Sequence, residues 1–150
     1  MVGKLIFLSR FEIHKNMSDP ELSFFMSKPG SNFFTAQVEG TGQIVGTAGC
    51  FKKTVVTAGG SETTTMNLTR LMVDPLFRKM GIAGQLLNAV KAHARDEGVD
   101  HVTIVTLSSN EPGVQFYDKV AEFVKETIVF GEPIFFMRYV HGLKLRHYTY

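Results

Sequence analysis

The chain has 150 residues, the usual size of one compact domain, and its 44% hydrophobic content is enough to bury a core. Sixteen basic against fourteen acidic side chains leave a net charge of +2, too slight for a nucleic-acid binder, which needs a clustered basic surface. That balance suits an ordinary soluble surface, and equally a mild attraction for a polyanionic coenzyme.

Lys4 to Ile13 reads as a first strand. Its apolar run Leu5 to Leu8 is far shorter than the roughly 17–25 residues a membrane helix needs, and no small-residue cleavage site follows. No transmembrane segment is therefore expected, and the chain is read as soluble and cytoplasmic. Asp19-Pro20-Glu21 offers an N-cap with proline at the first helical position, opening a short helix to about Met26. Pro29 to Asn32 breaks the chain. Phe33 to Glu39 and Gln43 to Lys52 form an antiparallel hairpin around Gly40-Thr41-Gly42. Cys50, the single cysteine, rules out an internal disulfide. It has no histidine close in sequence and reads as a small buried apolar residue.

Thr57 to Thr65, rich in glycine and threonine, reads as a loop. Met66 to Val73 is a fourth strand, stopped by Asp74-Pro75. From Ile82 to Glu97 the apolar period becomes helical, with Ile82, Leu86, Val90 and Ala94 on one face and Gly98 as the stop. His93 lies on that helix at the core edge. Val102 to Leu107 is a strongly β-forming fifth strand, expected to be buried on both faces. A short helix from Pro112 to Val120 comes next. Thr127 to Phe130 and Ile134 to Tyr139 read as a last hairpin around Gly131-Glu132-Pro133, and Lys144 to Tyr150 as a solvated terminal strand or extension. No two histidines have metal-ligand spacing, so no metal site is expected. The order of elements implies a single α/β (α+β) domain over residues 1–150, a partly parallel sheet covered by helices.

The chemistry points to Leu71-Met72-Val73-Asp74-Pro75-Leu76-Phe77-Arg78-Lys79-Met80-Gly81-Ile82-Ala83-Gly84. A strand ends at a proline turn, a basic loop comes after it, and a helix opens on Gly81. The first-turn amides of a helix have no internal partner, and its dipole favours negative charge there. Gly81, Ala83 and Gly84 would let a phosphate approach the backbone, beside Arg78 and Lys79. Gly81 alone would serve equally well as a tight packing point at a helix start.

As a whole the segment resembles the acetyl-CoA motif of the GNAT superfamily, Arg/Gln-x-x-Gly-x-Gly/Ala. Beyond the fifth strand Asn110, Gly113 and Tyr117 match that family's Asn-x-x-Ala-x-x-x-Tyr spacing, with glycine for alanine. The likeness runs from Phe33 to the C-terminus and is strongest toward the camello-like N-acetyltransferases, through Phe33-Phe34, Val45-Gly46-Thr47, Leu71 to Gly98 and the aromatic tail. The resemblance implies a GNAT fold: a mixed sheet of about six to seven strands, helices on both faces, strands four and five splayed around the coenzyme. It implies acetyl-CoA as cosubstrate, held by Leu71, Met72, Val73, Arg78, Lys79, Met80, Gly81, Ile82, Ala83, Gly84, Asn110 and Tyr117. Tyr117 would also be the catalytic acid, protonating the departing thiolate.

The implied reaction is direct acetyl transfer to a primary amine, on a small amino-acid-like molecule or a protein lysine. No nucleic-acid partner is implied, and a homodimer is compatible with the fold without being demanded by any segment. Three departures stand out. The usual Gly-Phe after the tyrosine helix is Ala121-Glu122-Phe123, read as a local bulge. Camello-like proteins typically carry a membrane segment near the N-terminus, and here only Leu5 to Leu8 is apolar, which weakens a membrane assignment. The fourth strand lacks the glutamate that many relatives use as base, leaving Glu62 or a water chain ending on a backbone carbonyl. That last departure keeps open a catalytically silent module that only binds an acyl-CoA.

Overall fold

The computed structural model describes residues 5–8, 26–129 and 143–150. These fall into two compact units, Met1–Val102 and Thr103–Tyr150. The expected helix from Asp19 and the strand from Ile134 to Tyr139 lie outside the described residues, as does most of the first strand beyond Leu8.

In the first unit β1 (Leu5–Leu8), β2 (Asn32–Val38), β3 (Ile44–Val56) and β4 (Glu62–Val73) form an antiparallel meander in chain order. A 3₁₀ turn (Pro75–Phe77) and helix α1 (Ile82–Asp96) come after β4. The apolar period read from the sequence is the face that α1 buries: Ile82, Leu86, Leu87, Val90 and Ala94. With them Phe33, Phe34, Ala36, Val45, Ala48, Cys50, Met66 and Leu68 make the core. Cys50 is wholly buried and its thiol is pushed up to about 12, chiefly by that burial, so it is an inert packing residue. His93 is half-buried, its Nε2 2.8 Å from the Gly30 carbonyl and its ring edge-on to Phe34.

The stretch Thr57 to Thr65 is not all loop. β3 runs on to Val56 and β4 begins at Glu62, with Val56 opposite Glu62, so only a tight turn separates them. Threonines here are strand residues, and Thr54 and Thr64 pair their hydroxyls across the ribbon at 2.9 Å.

The second unit holds nearly all of β5 (Val102–Leu107), helix α2 (Glu111–Val120), β6 (Glu122–Val129) and β7 (Leu143–Thr149). β7 pairs antiparallel with both β5 and β6. The tail is therefore a strand, one of its two readings, but not a solvated one: it is the middle strand of its unit, and Tyr148 is only 1% exposed. The sequence conceals this because Lys144 and Arg146 share a face with Tyr148 while Leu145 shares the other with His147, so no apolar–polar alternation marks the buried tyrosine. β5 is also corrected. Val102 and Ile104 are buried, but Val105 is 44% exposed, so the strand buries one face only. The irregularity expected near Ala121–Phe123 is a bulge at Val124: Phe123 faces Tyr148 and Lys125 faces His147, leaving Val124 unopposed.

Candidate active site

The end of β4 is not a regular strand. Thr69 faces Gly49 and Met72 faces Thr47, so Arg70 and Leu71 together stand opposite the single residue Ala48. Arg70 takes a left-handed φ of 54°. A non-glycine residue there costs about 1–2 kcal/mol, and a neighbouring strand offsets the cost: the Thr47 hydroxyl donates to the Arg70 carbonyl at 2.9 Å. A bulge of this kind bends the strand and re-aims the residues beyond it. Leu71 and Val73 are left half-buried and Met72 is 62% exposed. Asp74 then closes the strand. Its amide donates to the Val45 carbonyl at 2.8 Å, and its carboxylate accepts from the Leu76 amide at 2.9 Å, starting the 3₁₀ turn on Pro75.

Arg78, Lys79 and Met80 are exposed beyond that turn. Lys79 at φ 62° and Gly81 at φ 78° are both left-handed and flank Met80. Gly81 is the N-cap of α1, with no side-chain hydrogen bond to the first-turn amides and no acidic residue in that turn. The positive end of the helix thus meets no carboxylate of its own. A Cβ at Gly81 or at Gly84 would have nothing within 4 Å, so the space in front of the first turn is open. Concave backbone of this type, rich in N–H groups and flanked by basic side chains, suits an anion such as a diphosphate.

What seats this helix start is Gly46, which enters the sequence reading only through a resemblance. A Cβ there would meet Ile82 Cγ2 at 3.0 Å and Leu86 Cδ1 at 3.1 Å. Glycine lets the first turn of α1 press onto β3 beside the β4 bulge. The available signal was a glycine inside a strand, which often marks a close approach of this sort.

Tyr117 lies on α2 and Asn110 immediately precedes it, both in the second unit. Asn110 is the N-cap: its Oδ1 accepts from the Gly113 amide at 3.4 Å and its Nδ2 donates to Thr106 Oγ1 at 3.1 Å. A Cβ at Gly113 would crowd the Asn110 side-chain amide as it stands, so glycine suits this cap. Tyr117 is the only buried residue of α2 and is 7% exposed. Burial, with a smaller contribution from Tyr148, pushes its phenol up to about 12, so it holds its proton throughout the neutral range.

Sequence reasoning missed the polar group beside it. The Tyr148 hydroxyl donates to Asp118 Oδ1 at 2.8 Å and accepts from Arg146 Nε at 3.0 Å. Arg146 also approaches Asp118 at 3.5 Å and Glu126 at 4.0 Å. The rings of Tyr117 and Tyr148 lie 5.4 Å apart. A basic and aromatic terminus reads as a solvated extension, and that reading hides its tyrosine.

The ten residues Leu71, Met72, Val73, Arg78, Lys79, Met80, Gly81, Ile82, Ala83 and Gly84 therefore form one strand–turn–helix segment in the first unit. Asn110 and Tyr117 form a second group at α2. Glu62 belongs to neither. It opens β4 at the hairpin tip, eleven residues before Val73, or ~36 Å at the rise of a strand, and so cannot act at the bulged end.

Comparison with known proteins bears on the family and the fold. N-acetyltransferase 8 of Rattus norvegicus, a camello-like protein, is 35% identical over 105 residues, covering 70% of this chain and 45% of that one. The chain thus spans under half the length of this relative. Among solved structures, Arabidopsis thaliana NAA60 in complex with acetyl-CoA superposes with a TM-score of 0.70 at 15% identity, over 98% of each chain. A GNAT family acetyltransferase from Elizabethkingia anophelis with acetyl-CoA bound gives 0.63 at 17% identity, over 97% of this chain and 96% of that one. At such identities these likenesses establish the fold. The acetyltransferase (GNAT) family pattern itself matches residues 5–123, and the chain belongs to that family.

Proposed function

We propose that this protein is an acetyl-CoA-dependent N-acetyltransferase that moves an acetyl group directly to a primary amine, carried by a small amino-acid-like molecule or by a lysine. The observation that carries the reading is the start of α1. Its first-turn amides receive no side-chain cap, follow left-handed Lys79 and Gly81, and lie one 3₁₀ turn beyond a bulged strand end. Family membership and the acetyl-CoA held by the plant and bacterial proteins of like fold support the same ligand. In this reading residues 1–150 act as one GNAT domain.

Bound acetyl-CoA would supply an activated acetyl thioester. Amides from Met80 to Gly84 would clasp its diphosphate, with Arg78 and Lys79 adding charge. Backbone groups of Leu71, Met72 and Val73 would receive the pantetheine arm as an added strand and offer an N–H to the thioester oxygen. Asn110 would stand beside that arm. Tyr117, protonated at neutral pH, would donate to the departing sulfur. An amine with a reference pKa of ~10 must lose a proton before it attacks. With Glu62 at the wrong end of β4, a water chain ending on a backbone carbonyl is the acceptor in this scheme.

A second reading, a silent module that binds an acyl-CoA without turnover, is favoured by one observation: Thr63 to Val73 of β4 contains no carboxylate. Two measurements separate the readings. Calorimetry with CoA and acetyl-CoA is expected to show binding under both. Release of free CoA thiol with S-benzylcysteine, aspartate or a lysine peptide is expected only for the enzyme. Absence of binding heat with either coenzyme would overturn both.

A further inference from the structure

Helix α2 has ten residues, and only Tyr117 among them is buried. One buried ring does not define the rotation of a helix about its own axis, since a few degrees of roll cost little apolar contact. Yet a proton donor must be aimed to within a few tenths of an ångström. The missing constraint is polar. Asp118, the next residue along α2, receives the Tyr148 hydroxyl at 2.8 Å, and Arg146 braces both partners from the same strand, at 3.0 Å to the hydroxyl and 3.5 Å to the carboxylate. Tyr148 is in turn held between Phe123, whose ring is 6.0 Å away, and Tyr117 at 5.4 Å. Arg146 stacks on Phe123 at 4.3 Å and reaches Glu126, which also accepts from the Ser108 hydroxyl at 2.9 Å.

We propose that Asp118, Tyr148 and Arg146 form a polar clamp between α2 and β7 that orients Tyr117, making Tyr148 a positioning residue for the proton donor. The inference rests on the reading of Tyr117 as that donor. A hydroxyl–carboxylate bond adjacent to the donor fixes the roll of the helix, and ring contact between the two tyrosines fixes the tilt of the phenol. Tyr148 itself touches no reacting atom in this scheme. It acts through Tyr117.

The test is acetyl-CoA turnover with the fastest acceptor of the panel above. Tyr148→Phe keeps the ring and removes the hydroxyl. It is expected to lower kcat about five- to ten-fold while KM for acetyl-CoA stays within about two-fold. Asp118→Ala attacks the same clamp from the helix side, at an exposed side chain, and is expected to give the same split should Tyr148→Phe fold poorly. The decisive readout is coupling: in a Tyr117→Phe background neither substitution should lower kcat further. Additive losses in the double variants would overturn the clamp, because a general structural weakening multiplies. So would a slow Tyr117→Phe beside an unimpaired Tyr148→Phe and Asp118→Ala. If Tyr117→Phe is itself unimpaired, the donor assignment fails first and the clamp with it.

Discussion

The two helices, one in each unit, carry the two groups of candidate residues and are held in different ways. α1 buries five apolar residues, and its N-terminus sits where Gly46, lacking a Cβ, leaves room for the Ile82 and Leu86 side chains. α2 buries one aromatic ring and depends on side-chain hydrogen bonds at its cap and at Asp118. A site made of backbone amides can be positioned by a core, because the backbone goes wherever the packing puts the helix. A site made of one side chain needs directional partners close by. The first arrangement should tolerate polar substitutions and fail on core damage. The second should do the reverse.

The largest expected effect tests the core-held helix. Leu86→Ala, at a fully buried position, is expected to cost about 2–5 kcal/mol in urea unfolding. A loss below about 1 kcal/mol would mean that α1 is not seated by its apolar face. Next, Gly81→Val strains a left-handed cap by about 1–2 kcal/mol and crowds the amides behind it. Calorimetry should show acetyl-CoA binding weakened by about ten-fold or more, and unaltered affinity would move the diphosphate elsewhere.

Tyr117→Phe should lower kcat by about ten-fold or more with little change in KM. Because its phenol stays protonated to about 12, the loss should be the same from about pH 7 to about pH 9, leaving the shape of the profile unaltered. A basic limb that vanished in the variant would mean that Tyr117 titrates in that range after all. The smallest effect separates capping from ligand contact at Asn110. Asn110→Ala should cost about 1 kcal/mol as a lost cap, while Asn110→Asp, which still caps, should not. If Asn110→Asp keeps stability yet loses acetyl-CoA affinity, Asn110 also touches the coenzyme.

Much of the first unit is legible in the sequence. Ile82 to Asp96 announces itself through helical period, a glycine start and a glycine stop, and Asp74-Pro75 ends β4 where expected. The candidate coenzyme segment is legible too, because its features are contiguous. Other features are hidden for physical reasons. The β4 bulge arises from a mismatch with β3 and is braced by Thr47, twenty-three residues away in sequence. Glu62 looks available as a base until strand pairing puts it at the hairpin tip. Tyr148 sits in a run of basic and aromatic residues that resembles a solvated tail, and only its pairing with two strands buries it.

Residues that interact with near neighbours thus determined α1, its uncapped opening and the family to which the chain belongs, since caps, periods and breakers act within a few positions. Tertiary structure alone decided the bulge at Arg70, the seating of α1 on Gly46, and the partners of Tyr148. Each of these depends on which distant segment lies alongside, and a local pattern carries no information about a contact whose other half is far along the chain.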